Sequence, residues 1–316
     1  MTSITTIIFG PTGGVGAAVV STVHERGAKV VLALRDPQKP IRGFSAEQER
    51  AAGFERVQAD LTQPETITAA VQKTGAKRAF LYVAFGQTTD NMKATITALK
   101  DAGIEFVVLL SSASVQRDKR SYGPTEFVPF AHAQVEVNLE DAFGSTGYVA
   151  VRPTFFASNA FWWKDGIKQG DAKIAFSEAL ADWITPEDIG RVCGSLLIDG
   201  PQAPVENSAV NIIGPNLISL REGIEIIGRE IGKDVKVTDV GEPEGIEYFV
   251  KQLGFPPPLA AALVNEFKDR VEKGHSNPLF SSTGYQEAMA NISKFGGKPP
   301  MSLVEWVKEH KDDFGA

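Results

Sequence analysis

Thr5-Thr6-Ile7-Ile8-Phe9-Gly10-Pro11-Thr12-Gly13-Gly14-Val15-Gly16 decides how the chain is read. A short β-branched run meets a loop with glycines at 10, 13 and 16, and Val15, Val19 and Val23 then recur at helical spacing. Three glycines alone mark no more than a turn. Between a strand and a helix they do more: glycine permits the tight turn and lets the backbone approach a pyrophosphate, which then meets free N–H groups and the positive end of the helix dipole. The spacing is GxxGxxG and not the stricter GxGxxG, because Pro11 and Thr12 intervene. Gly10, Thr12, Gly13, Gly14, Val15 and Gly16 are therefore the expected seat of a dinucleotide.

Outward from this loop, short apolar runs alternate with amphipathic stretches, the pattern of successive βαβ units. Strands are expected at 5–10, 29–35, 56–59, 79–85, 105–111 and 148–152. Runs such as Phe106-Val107-Val108-Leu109-Leu110 suit strands covered on both faces, and right-handed crossovers place helices on each side. Beyond Arg152 the pattern loosens to a helix at 186–198, a strand at 209–213 and a helix at 220–231. The tail from Gly241 is helical, broken by Phe255-Pro256-Pro257-Pro258, His275-Ser276-Asn277-Pro278 and Gly296-Gly297-Lys298-Pro299-Pro300. The expected class is α/β, a doubly wound parallel Rossmann sheet with a smaller α+β substrate-binding domain. Residues 1–154, with a returning segment near 183–200, form the first domain; 155–182 and 201–316 form the second.

The 316 residues carry a formal charge of −7, which would repel a phosphate backbone, and no basic patch offsets it. Nucleic acid is not an expected partner. Met1-Thr2-Ser3-Ile4 lacks the basic start of a secretory signal, and no run approaches the roughly 18 apolar residues needed to span a bilayer. A soluble, cytoplasmic protein without a membrane partner is expected, as a monomer or homodimer. Cys193 is the single cysteine, and His24, His132, His275 and His310 are scattered, so neither a disulfide nor a Cys/His metal centre is expected.

In NAD-binding domains of this kind an acidic residue about 20 positions past the loop binds the ribose 2′-hydroxyl. Arg35 stands there instead. A guanidinium binds a 2′-phosphate through charge-assisted hydrogen bonds where a carboxylate would repel it, so the expected cofactor is NADP(H), with Lys39 assisting. The plainer reading of Arg35 is a surface arginine at a strand end. Asp60 and Leu61 close the third strand, within reach of the adenine.

The chain resembles the NmrA-like family of atypical short-chain dehydrogenases/reductases. Besides residues 10–16, the matching stretches are Leu32-Ala33-Leu34-Arg35-Asp36-Pro37, Val57-Gln58-Ala59-Asp60-Leu61, Val151-Arg152-Pro153-Thr154-Phe155-Phe156-Ala157-Ser158-Asn159 and Thr185-Pro186-Glu187-Asp188-Ile189-Gly190, in the family's order. The resemblance implies an NADP(H)-binding protein that is either a reductase or a redox-sensing regulator. Ordinary short-chain dehydrogenases use Tyr-x-x-x-Lys, the lysine lowering the tyrosine pKa. Here Tyr122 is followed four residues on by Glu126, and no such motif occurs. By the resemblance, His132 matches the family's histidine and Glu136 occupies the position of its reductase lysine.

His132, Glu136 and Glu140 lie at i, i+4 and i+8, one stripe of a helix beside the core stripe of Ala131, Val135, Leu139 and Ala142. Glu136 either faces the cleft, accepting a proton or stabilising a cation, or belongs to a solvated helix face. Tyr122, Ser112 and His132 are the further acid–base candidates. Ser111 and Ser112 end the fifth strand at the cofactor crevice, binding a substrate oxygen or the ribose, or capping the strand. Ala84 and Phe85 are expected to pass beneath the nicotinamide, with Phe85 stacking there or filling core. Phe155, Phe156, Asn159 and Trp163 follow the sixth strand in an aromatic stretch that either lines a pocket for a large, flat, apolar substrate or forms ordinary core. The expected function is an NADP(H)-dependent oxidoreductase of a bulky hydrophobic small molecule, of the secondary-metabolite kind, acting on C=N, C=C or C=O with cyclisation as a possible companion step. The rival is a non-catalytic NADP(H) sensor that regulates a protein partner.

Overall fold

A computed structural model describes residues 4–201, 205–274 and 278–315; Met1-Thr2-Ser3 and His275-Ser276-Asn277, used in the reading above, lie outside the described residues. In chain order the elements are β1 (Thr5–Phe9), α1 (Gly14–Glu25), β2 (Lys29–Leu34), α2 (Ala46–Ala51), β3 (Glu55–Gln58), α3 (Pro64–Thr74), β4 (Arg78–Tyr82) and α4 (Lys93–Asp101). There follow β5 (Phe106–Leu110), α5 (Phe127–Phe143), β6 (Tyr148–Pro153), α6 (Lys164–Gln169), β7 (Asp171–Ala175), β8 (Leu180–Ala181), α7 (Pro186–Asp199) and β9 (Ala209–Ile212). The last are β10 (Ile218–Ser219), α8 (Leu220–Glu230), β11 (Lys236–Val240), α9 (Glu242–Lys251), α10 (Pro257–Glu272), α11 (Ser282–Gly296) and α12 (Leu303–Glu309).

Seven strands form one sheet in the order β3-β2-β1-β4-β5-β6-β9, every pair parallel. Successive side chains of a strand point to opposite faces. Ile7, Phe9, Val31 and Ala33 pack with Ile67 of α3, Ile96 of α4 and Val135 of α5, while α1 and α7 lie together on the sheet. The doubly wound parallel sheet is thus present, with the apolar runs buried on both sides. Several strands stop short of their expected ends: β1 at Phe9, β2 at Leu34, β4 at Tyr82 and β5 at Leu110. Gly10, Arg35, residues 83–86, Ser111 and Ser112 consequently emerge as loops at the carboxyl edge of the sheet, where doubly wound folds hold ligands.

The chain divides into two compact units, one of Met1–Pro153, Pro186–Ile212 and Asn291–Lys298, the other of Thr154–Thr185, Ile213–Ala290 and Pro299–Ala316. β9 and the end of α11, which the sequence reading put in the second domain, belong to the first unit. β9 pairs with β6 as the seventh strand. Arg191 of α7 donates to the carbonyls of Gly296 and Lys298, and Asn291 donates to the carbonyl of Asn211. The second unit holds a parallel β7–β11 pair and an antiparallel β8–β10 pair. Its core contains Phe155, Trp163, Trp183, Phe249, Phe267 and Trp306. The buried Asp182 carboxylate ties it together, accepting from the N–H groups of Phe155 (3.0 Å) and Gly214 (2.7 Å).

Small residues allow α1 and α7 to approach closely. A Cβ at position 190 would lie 2.3 Å from the Ala18 Cβ and 2.7 Å from the Val15 carbonyl oxygen, so the helix backbones themselves would have to separate. Gly190→Ala should lower stability by about 1–3 kcal/mol, measured by urea denaturation, and Ala18→Gly in the same chain should recover part of the loss. An unchanged midpoint for Gly190→Ala would show that the contact is looser than described.

Candidate functional site

β1 leaves the sheet at Gly10, whose φ of +71° is left-handed and whose Cβ, if present, would lie 2.8 Å from the Tyr82 ring. The Gly13 N–H donates to the Gly10 carbonyl at 3.1 Å, closing the turn. A Cβ on Gly16 would stand 2.1 Å from that same carbonyl oxygen, so only glycine lets the first turn of α1 pack beneath the loop. Gly13 differs. It is exposed, its φ of −86° and ψ of 159° suit any residue, and its nearest neighbour to a Cβ would be the Gly10 oxygen at 3.6 Å. Packing gives no reason for glycine there, whereas a ligand lying against the backbone would. No side chain caps α1, so its leading N–H groups and dipole are free to meet an anion.

Arg35 and Lys39 are exposed on the loop after β2. Burial raises the Tyr82 pKa, with the Arg35 charge opposing and Asp60 reinforcing, which puts these three groups in one neighbourhood. Asp60 Oδ1 accepts from the Thr62 N–H (2.9 Å) and hydroxyl (2.8 Å). Leu61 is buried in the core, so its side chain does not reach outward to an adenine as expected. Ala84 is buried, and its N–H donates to the Met92 sulfur at 3.3 Å. The Phe85 ring stands 5.2 Å from Phe127 and 5.8 Å from His132. Beside it lies a cavity of about 210 Å³ whose walls include Val83, Phe85, Met92, Phe127, Phe130 and Val135, and no charged residue lines it.

Glu136 is neither on a solvated face nor free in a cleft. It is fully buried. Arg152 Nε donates to its Oε1 at 2.9 Å, Arg152 Nη2 donates to its Oε2, and the Ser111 hydroxyl donates to Oε1 at 2.6 Å. Arg152 Nη1 donates to the Val115 carbonyl at 2.9 Å. The expected general base is thus one half of a bidentate ion pair between α5 and β6, and Ser111, expected at the ribose, is buried on it.

Of the other candidates, Tyr122 and Ser112 make hydrogen bonds within the loop after β5, and His132 Nδ1 makes none among the described residues. The Tyr122 hydroxyl accepts from the N–H groups of Gln116 (2.6 Å) and Arg117 (3.2 Å) and donates to the Ser114 carbonyl (3.2 Å), tying down the loop after β5. Ser112 Oγ accepts from the Ser114 N–H at 3.1 Å. Burial, and after it the Arg152 charge, pushes His132 down to about 4, so it is neutral near pH 7, and its Nδ1 has no hydrogen-bond partner among the described residues. Phe155 and Trp163 are buried in the core of the second unit, while Phe156 and Asn159 are partly exposed. Sequence reasoning missed Arg152 as a structural charge. The signal was there: an arginine closing the apolar run Tyr148-Val149-Ala150-Val151 needs a buried counter-ion.

Glu136→Gln leaves the buried Arg152 charge uncompensated and should cost about 3–5 kcal/mol of stability, read by urea denaturation; a midpoint equal to that of the unmutated chain would show that the pair is dispensable. His132 gives a pH dependence of known sign. The unfolded imidazole protonates near 6.5 and the folded one near 4, so between these values the unfolded chain binds more protons and stability falls as pH drops. His132→Gln should flatten the stability profile across pH 4–6.5, and an unaltered slope would exclude His132 as its source.

The sequence profile of the NmrA-like family matches residues 2–303. The nitrogen metabolite regulation-like protein bik4 of Gibberella fujikuroi is 35% identical over 320 residues, covering 96% of this chain and 95% of that protein. Festuclavine synthase II of Penicillium roqueforti is 29% identical over 220 residues, 66% of this chain and 65% of its own length. The NADPH-dependent quinone oxidoreductase QOR2 of Escherichia coli, solved with NADPH, has the same fold, with a TM-score of 0.71 and 20% identity over 97% of this chain and 99% of that one. With the family profile spanning nearly the whole length and a full-length relative at 35% identity, the chain belongs to the NmrA-like family.

Proposed function

We propose that this chain binds NADP(H) on the loop at residues 10–16 and moves hydride between it and a bulky, apolar small molecule. The observation that carries the cofactor reading is Gly13, a glycine that the fold does not require, at the uncapped start of α1. The N–H groups of α1 would hold the pyrophosphate, and exposed Arg35 with Lys39 would take the 2′-phosphate. The NADPH and NADP(H) in the names of structural neighbours support this choice. When bound, NADPH supplies a hydride.

The chain's own groups limit which acceptors fit. Carbonyl reduction gains from a positioned proton donor, yet Glu136, Tyr122 and Ser111 all spend their polar atoms on structure. The acceptors that suit such a site are those needing least proton donation: a cyclic iminium, or a quinone whose proton comes from water. The uncharged aromatic cavity beside Phe85 suits a flat apolar substrate of secondary-metabolite type. The relative named as a festuclavine synthase and the neighbour named as a quinone oxidoreductase support reductive chemistry.

The commitment of Glu136, Tyr122 and Ser111 to structural hydrogen bonds also favours a second reading, a NADP(H)-sensing regulator, in keeping with the relative named as regulation-like. NADPH oxidation in the presence of cyclic iminium salts and quinones separates the two. Turnover supports the oxidoreductase, and tight NADPH binding with no turnover on either class supports the sensor.

Calorimetry should show NADPH binding more tightly than NADH, with Arg35→Asp reducing NADPH affinity by roughly 10–100-fold. Equal affinities in the unmutated chain would overturn the choice of cofactor. Gly13→Val should abolish binding of both coenzymes while leaving the denaturation midpoint nearly unchanged, and normal binding by that variant would move the cofactor off this loop.

A further inference from the structure

We propose that Glu49 and Arg56 form a clamp that sets selectivity for the 2′-phosphate, as positioning residues that shape the loop carrying Arg35 and Lys39; the proposal rests on the NADP(H) reading above. Arg56 lies on β3, the edge strand, opposite Leu32 of β2. Its Nε and Nη2 each donate to one Glu49 carboxylate oxygen at 2.7 Å. Its Nη1 donates to the carbonyls of Pro37 at 2.6 Å and Lys39 at 2.9 Å. These bonds use most of the donors of a guanidinium, and the Glu49 carboxylate neutralises its charge. Arg56 is therefore held as a brace for the loop backbone and is not itself a phosphate ligand.

Both ends of the brace are anchored. Glu49 is buried on α2, whose start is fixed by a capping box in which Ser45 and Gln48 exchange side-chain and backbone hydrogen bonds. The loop also closes on itself: Asp36 Oδ1 accepts from the Gln38 N–H at 2.9 Å, and the Asp36 carbonyl accepts from the Lys39 N–H at 3.1 Å. Arg35 and Lys39 stay exposed on the same turn. Their charges are thus presented by a backbone ordered before any ligand arrives. Remove the brace and the turn must be ordered on binding, a cost borne by a ligand whose phosphate engages this turn and not by one that lacks the phosphate.

This selectivity separates positioning from general structural support, which would weaken both coenzymes alike. Arg56→Met alone would strand the buried Glu49 carboxylate, so the variants of choice are Arg56→Lys, which keeps the charge but not the fork, and the paired Glu49→Leu/Arg56→Met, which removes both charges. In each, calorimetry on the full chain should show the NADPH Kd rising by about 5–20-fold with the NADH Kd changed by less than about twofold. On an Arg35→Ala background the paired substitution should add less than about twofold to the NADPH Kd. Equal losses for NADPH and NADH, or an unchanged NADPH Kd, would overturn the clamp while leaving the cofactor reading intact. A lack of NADPH preference in the unmutated chain would overturn the cofactor reading, and the clamp's role with it.

Discussion

Gly16 rests against the carbonyl of Gly10, leaving no room for a Cβ between them. This close approach bends the chain from β1 directly into α1 and brings the start of that helix to the carboxyl edge of the sheet. The neighbouring features follow from it. β1 sits at the centre of the sheet between β2 and β4, the Tyr82 ring packs over Gly10, and α1 lies where α7 can dock on it through glycines 190 and 194. The uncapped helix start, left unsatisfied by the protein itself, is the chemical opening that the arrangement creates.

A second constraint acts on the chemistry. β6 carries Arg152 into a buried position, and a buried guanidinium is tolerated only with a counter-ion and saturated donors. Glu136 provides the carboxylate, with Ser111 and the Val115 carbonyl completing the set. The result joins the end of β5, the loop after it, α5 and β6. It also takes up Glu136, the residue that the resemblance set at the position of the reductase lysine. The Glu136 carboxylate is thereby committed to holding these elements together and is not free to take a proton from a ligand.

The two units answer the question of aromatic residues differently. In the second unit Phe155 packs edge-on against Trp162, Trp183 and Phe267, a core built of large rings around the hydrogen-bonded Asp182. In the first unit Phe85 and Phe127 border a cavity instead of filling it. The difference lies in what surrounds them. Phe155 is enclosed by helices and small sheets of its own unit, whereas Phe85 sits in a loop beyond β4, where backbone conformation and not a strand ladder sets how tightly neighbours close.

Much of this was legible in the one-dimensional chain. Strand and helix periods, the glycines at 10, 13 and 16, and Arg35 in place of an acid are local signals, because they depend on residues within a few positions of one another and on the stereochemistry of a single backbone turn. β9 was read as a strand but its place in the first unit was not, since four residues carry no mark of the partner they pair with. The stripe of His132, Glu136 and Glu140 was found correctly, while the direction of Glu136 was not. Its partner Arg152 lies 16 residues away on another element, just as Arg56 reaches back 17 and 19 residues to the carbonyls it braces. The sequence by itself determined the parallel α/β sheet and the loop that opens it. Only the tertiary structure decided which polar groups remain free for chemistry, because hydrogen bonding and burial are settled between partners distant along the chain, and a side chain once satisfied there is no longer available to a ligand.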